Sequence, residues 1–189
     1  MRDHLRDADI GGQRSPPCHR RGTTVQRNQR LTLLFVLVMG LMMALPGAAH
    51  AATTRLSGEA HYDVMQCPGA PEGYEDFVDY PGLLMTGSLK ACLYTRFDSP
   101  PHMTPSGAYI EVGEEIVVGS LNGGPQGTFT TTYTFEAKFA PDGAEIRGQC
   151  HHKIVAGSGT GGFEGATGRF DIKDIVSAGI GVYRGHIFI

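Results

Sequence analysis

The chain has 189 residues, a formal net charge of −3, 19% charged residues, 27 glycines, 11 prolines and no tryptophan. That length fits one domain with a processed segment, and so much glycine and proline argues against a helical bundle, because both residues break helices and punctuate strands. Residues 52–189 carry nine Lys and Arg against sixteen Asp and Glu, a net −7, which argues against nucleic acid as a partner and against electrostatic attachment to anionic lipid.

Residues 1–26 are polar, contain Cys18 and show no apolar period. They read either as a long leading segment or as the product of a start placed too far upstream. Arg27 and Arg30 then precede an apolar run over residues 31–45, interrupted only by Thr32 and followed by Pro46-Gly47-Ala48-Ala49-His50-Ala51. A positive segment, a short apolar core and an A-x-A site are the parts of a secretory signal. The run falls below the roughly 18 residues expected of a spanning helix; a permanent N-terminal anchor is the rival reading. The expectation is a signal helix in residues 1–51, cleavage after Ala51, and a secreted protein of residues 52–189 that meets the membrane only through the signal.

Residues 56–64 alternate Leu56, Gly58, Ala60, Tyr62 and Val64 against Ser57, Glu59, His61 and Asp63. Strict alternation of this kind predicts a half-buried strand. A loop rich in Pro, Gly and acids follows over residues 67–82. Residues 83–97 alternate again, with Leu83, Met85, Leu89, Ala91, Leu93 and Phe97 on one face, and Asp98-Ser99-Pro100-Pro101 breaks the pattern. Residues 108–118 place Ala108, Ile110, Val112, Ile116 and Val118 on one face, before the turn Asn122-Gly123-Gly124-Pro125. Phe129, Thr131, Tyr133, Phe135, Ala137 and Phe139 share the next face, and Pro141-Asp142-Gly143 is the next turn. Residues 146–154 place Ile146, Gly148, Cys150, His152 and Ile154 together. A glycine-rich stretch over 157–168 then leads to Phe170, Ile172 and a last strand over 182–189.

Seven or eight short strands with one apolar face each, and no helix of ten residues, predict an all-β fold: an antiparallel sandwich or a closed barrel. Closure removes the open sheet edges that invite aggregation.

The segment Gly159-Thr160-Gly161-Gly162-Phe163-Glu164-Gly165-Ala166-Thr167-Gly168-Arg169-Phe170 resembles the G-T-G-x-F-x-G-A-T-G signature of the allene oxide cyclase-like barrel superfamily, which includes the dirigent proteins. The resemblance covers chiefly residues 127–173, with Gly127-Thr128-Phe129 opening a strand. It implies a closed antiparallel eight-stranded, calycin-like barrel. It transfers no catalytic residue, because no further motif matches outside the glycine segment. Physically the glycines suit a tight crossover between strands, with Phe163 plugging a barrel end. A phosphate-binding loop is disfavoured, since neither Lys-Ser/Thr nor a helix follows.

Polar residues that fall in phase with apolar faces are the site candidates, because a buried polar group is costly unless partnered. Tyr62, Glu114, Tyr133 and His152 meet that test and are read as ligand-binding. The competing reading is a bulge after Gly113 that turns Glu114 outward, with His152 as a core histidine. His151 and His152 are adjacent in a strand and face opposite sides, so they cannot share an ion. No zinc spacing is present, and neither a metal nor a cofactor is expected. Of Cys67, Cys92 and Cys150, the first two are expected to form a disulfide between adjacent strands, leaving Cys150 free and inward.

Two functions remain open at this stage: a barrel that binds a small apolar molecule or a partner, and a dirigent- or cyclase-like enzyme that controls the stereochemistry of a reactive intermediate. The second needs shape and exclusion of water more than acid–base residues.

Overall fold

The computed structural model describes residues 52–189; the expected signal helix and its cleavage site lie outside them. The described residues form strands β1 (Thr53–Tyr62), β2 (Leu83–Gly87), β3 (Leu89–Phe97), β4 (His102–Met103), β5 (Tyr109–Leu121), β6 (Gln126–Phe139), β7 (Glu145–Ile154), β8 (Thr160–Gly161), β9 (Thr167–Ile175) and β10 (Ile180–Phe188). A single 3-10 turn, Val176–Ala178, joins β9 to β10.

Eight strands run as an antiparallel meander, β1-β2-β3-β5-β6-β7-β9-β10, and the last pairs with the first, Thr53 opposite Phe188 and Ala60 opposite Gly181. The sheet is therefore a closed barrel. The two-residue strands β4 and β8 add short pairings outside the ring, on β5 and β6. Antiparallel neighbours in chain order can be joined by short turns, as between β2 and β3, β5 and β6, and β6 and β7, whereas residues 63–82 form a longer loop between β1 and β2.

One end of the barrel is packed solid. Leu56, Met85, Leu89, Val117, Phe129, Phe170, Tyr183 and Ile187 meet there. Phe163, fully buried, closes that end, its ring 4.8 Å from the Phe129 ring. The glycine-rich segment makes this closure. A Cβ at Gly159 would fall 1.8 Å from the Phe163 carbonyl oxygen, so only glycine lets the crossover fold back this tightly. Tyr183 locks the same end, accepting from the Leu89 N–H and donating to the Thr86 carbonyl, each at 2.9 Å.

The expected single strand over residues 83–97 is two strands. Gly87, at φ 98°, turns the chain between them. The turn was hidden because it keeps parity: Leu83 pairs with Leu93 and Met85 with Ala91, so odd-numbered residues face inward on both sides.

The inward face assigned to β5 is reversed. Glu111, Gly113, Glu115 and Val117 point into the barrel. Ile116 lies on the outer wall, buried with Cys67, Phe77 and Tyr94 under the loop of residues 63–82. That loop gives the barrel a second small core on its outside, so an apolar face is not always an inner face. The Cys67–Cys92 disulfide pins the loop to β3, with the two Cα atoms 5.6 Å apart. Cys150 is free, as expected.

Candidate functional site

Towards the other end the barrel is hollow. A cavity of about 420 Å³ opens between the ends of β1, β6 and β9 and the starts of β5, β7 and β10. Its walls include Leu83, Leu93, Phe135, Phe139, Ile172 and Ile180, and its polar lining is dominated by carboxyl and hydroxyl groups. The volume falls within the roughly 300–1,000 Å³ of small-molecule pockets.

The four predicted residues are not all brought together. Tyr133 and His152 stand in the lumen wall, on neighbouring strands and directly opposite each other in register. Tyr62 is at the rim, 59% exposed, with its ring 6.2 Å from Tyr80. Glu114 is outside: half-exposed, it pairs with Arg96, which also binds Asp76. The correction for Glu114 follows from the reversed face of β5, with no bulge needed, since β5 and β6 pair without a register break from Tyr109 to Ser120.

The acids that do enter the lumen are Glu111 and Glu115, four residues apart on β5. Glu111 accepts three tyrosine hydroxyls, from Tyr133 at 2.7 Å, Tyr80 at 2.7 Å and Tyr109 at 3.0 Å. Desolvation, and then hydrogen bonding to Glu111, push the Tyr80 and Tyr133 hydroxyls far above the usual phenol range. They are donors, held neutral. Glu115 accepts from Thr131 at 3.1 Å and lies 2.9 Å from His152 Nε2. The His152 side chain is 1% exposed, and its ring stacks on Phe170 at 4.4 Å. With Nε2 turned to Glu115, the other ring nitrogen, Nδ1, is buried without a partner.

A second acidic pair, Glu145 and Asp174, stands nearer the mouth. A bulge in β7 places Glu145 there: Lys138 pairs with Arg147 but Phe139 with Glu145, so Ile146 is extruded and 53% exposed. The expected inward facing of Ile146 fails at this bulge. Both carboxyls sit over Gly148, where a Cβ would meet Asp174 Oδ2 at 2.0 Å and Glu145 Oε1 at 2.6 Å. Burial raises the pKa of both; for Glu145 the Asp174 charge adds to it. Two carboxyls over one bare glycine repel each other when both are ionised.

Among the described residues, Glu115, Cys150 and His152 place an oxygen, a sulfur and a nitrogen within 4.8 Å of one another. These three could hold a metal ion, and they come from two strands rather than from any short sequence spacing. Two of the three engage each other. Glu115 already faces His152, and burial, followed by the Glu115, Glu111 and Asp174 charges, pushes the Cys150 thiol well above its ordinary range. His151, on the outer side of the same strand, pairs with Asp171 at 2.8 Å.

Fold and site together define a closed eight-stranded antiparallel barrel with one plugged end and one open, acid-lined lumen. Comparison of the chain with protein-family models, with curated proteins and with solved structures gave no match.

Proposed function

We propose that this protein is an exported barrel that takes a small molecule into the open half of its lumen. The observation that carries the reading is the asymmetry of the interior. One end is filled by Phe129, Phe163, Phe170 and Tyr183, while the other keeps a cavity of about 420 Å³ between apolar walls and convergent polar groups. An eight-stranded barrel is just wide enough either to be filled by side chains or to hold one small ligand, and the unfilled half suits the second. A disulfide in the barrel wall suits an oxidising compartment and supports export. The closed barrel, and the position of the glycine segment as its end plug, also support membership of the allene oxide cyclase-like, calycin-like superfamily.

A second reading is an enzyme of the dirigent or cyclase kind. The buried Glu115–His152 pair beside Cys150 favours it, since a carboxylate holding one imidazole nitrogen leaves the other free for proton transfer.

The first reading is tested by blocking the lumen. Leu83→Trp adds an indole to the cavity wall at a half-buried strand end. Uptake of an uncharged environment-sensitive dye, followed by fluorescence titration, should fall at least about tenfold, while the far-ultraviolet circular dichroism stays that of the parent. Dye binding unchanged in Leu83→Trp would place the binding elsewhere and refute the reading.

A further inference from the structure

We infer that the molecule this lumen takes is a small organic cation, an ammonium group on an apolar or aromatic body, with its charged end at Glu145 and Asp174. The inference rests on the lumen-binding reading above and adds the chemical class of the ligand.

Charge is segregated across the barrel wall. None of the nine Lys and Arg in residues 52–189 lines the cavity, whereas Glu111, Glu115, Glu145 and Asp174 all do. The lining histidines are His61 and His152, and His152 is turned to Glu115. An anion entering here would meet four carboxyl groups and no fixed cation.

The hydrogen-bond inventory points the same way. The hydroxyls of Tyr80, Tyr109 and Tyr133 are all donated to Glu111, and those of Thr95 and Thr131 are turned to Glu115. What remains unpartnered in the buried wall is Glu145 Oε1 and His152 Nδ1. The first is an acceptor. The second is one too in the neutral ring whose Nε2–H faces Glu115. A lumen whose buried hydroxyls are spent on its own acids and whose buried acceptors are open is complementary to a ligand that brings donors. An ammonium group brings three N–H donors and a charge.

The acidic pair is also housed as a binding niche. Gly148 and Gly181 leave bare backbone around it: a Cβ at Gly148 would strike both carboxyls, and one at Gly181 would lie 3.7 Å from Asp174 Oδ1. The Phe135 ring reaches the same bare position, its Cε2 lying 2.8 Å from where a Gly148 Cβ would stand. Aromatic rings beside carboxylates attract organic cations through the ring quadrupole as well as by charge. Tyr109, packed on Phe135 at 6.1 Å and Phe139 at 5.5 Å, extends the aromatic wall.

The test is a matched series titrated by calorimetry into the protein purified after expression of the full chain: 4-phenylbutylamine, 4-phenylbutan-1-ol and 4-phenylbutanoate. The amine should bind about tenfold tighter than the alcohol, the worth of one charge-assisted hydrogen bond, and the carboxylate should not bind. In Glu145→Gln/Asp174→Asn the amine should fall to the level of the alcohol, whose own affinity stays unchanged. If the double variant does not fold, Glu145→Gln alone carries the comparison and should lose most of the preference. Alcohol or carboxylate binding as tightly as the amine would overturn the cation inference while leaving lumen binding intact. No binding by any of the three, with dye uptake indifferent to Leu83→Trp, would overturn the lumen reading itself.

Discussion

Asp174 shows how one side chain ties lumen chemistry to stability. Burial raises its pKa and that of Glu145 in the folded chain, while the unfolded values stay near about 4. Between the unfolded and folded values the native state binds more protons than the unfolded state. The slope of unfolding free energy with pH is therefore negative, and this pair's contribution to stability is lost as pH rises through that window. Asp174→Asn removes the mutual repulsion. Urea midpoints of parent and variant should diverge between pH 4.5 and pH 7.5, with the variant gaining on the parent at the higher pH. A difference independent of pH would mean that burial and the neighbouring charge do not raise the folded pKa values of this pair.

At the scale of elements, the loop of residues 63–82 has two duties. It covers Ile116 and Tyr94 on the outer wall through Cys67 and Phe77, and it returns Tyr80 to the mouth, where the hydroxyl binds Glu111. The disulfide holds both. Cys67→Ser/Cys92→Ser frees a closure of 25 residues, which should cost roughly 3 kcal/mol of unfolding free energy on the loop-entropy account. Chemical denaturation would measure it, and an unchanged midpoint would show that packing alone holds the loop.

The same loop explains what the sequence could and could not show. Alternation is legible in β1 and β6, where the apolar face is also the inner face, and so Tyr133 was found. Spacing cannot say that a distant loop will bury the outside of β5. Ile110, Val112, Ile116 and Val118 therefore outvoted the true inner set, Glu111, Gly113, Glu115 and Val117. A second sign was available: Gly113 and Gly119 share the acids' phase, and inward glycines suit a crowded barrel interior. His152 was found because β7 keeps one phase from Gly148 to Ile154. Glu145 was missed because the bulge at Ile146 shifts that phase, and a bulge leaves no trace in a period-two pattern. Tyr80 lies in a loop with no period to read.

For the whole molecule, the barrel divides its labour along its axis. The plugged half supplies the apolar burial that drives folding. The open half carries four carboxyl groups, hydroxyls turned to two of them and a free thiol, groups that add little to a core and much to recognition. This division makes a spatial prediction that affinity alone does not. In a two-dimensional amide NMR titration with 4-phenylbutylamine, shifts should concentrate at Tyr133, Gly148, Cys150, Asp174 and Gly181, around the open lumen, and leave the amides of Phe129, Phe163 and Phe170 near the plug in place. Shifts spread over the outer wall, or concentrated at the plug with Gly148 and Gly181 unmoved, would contradict the account that the open half of the barrel is the site.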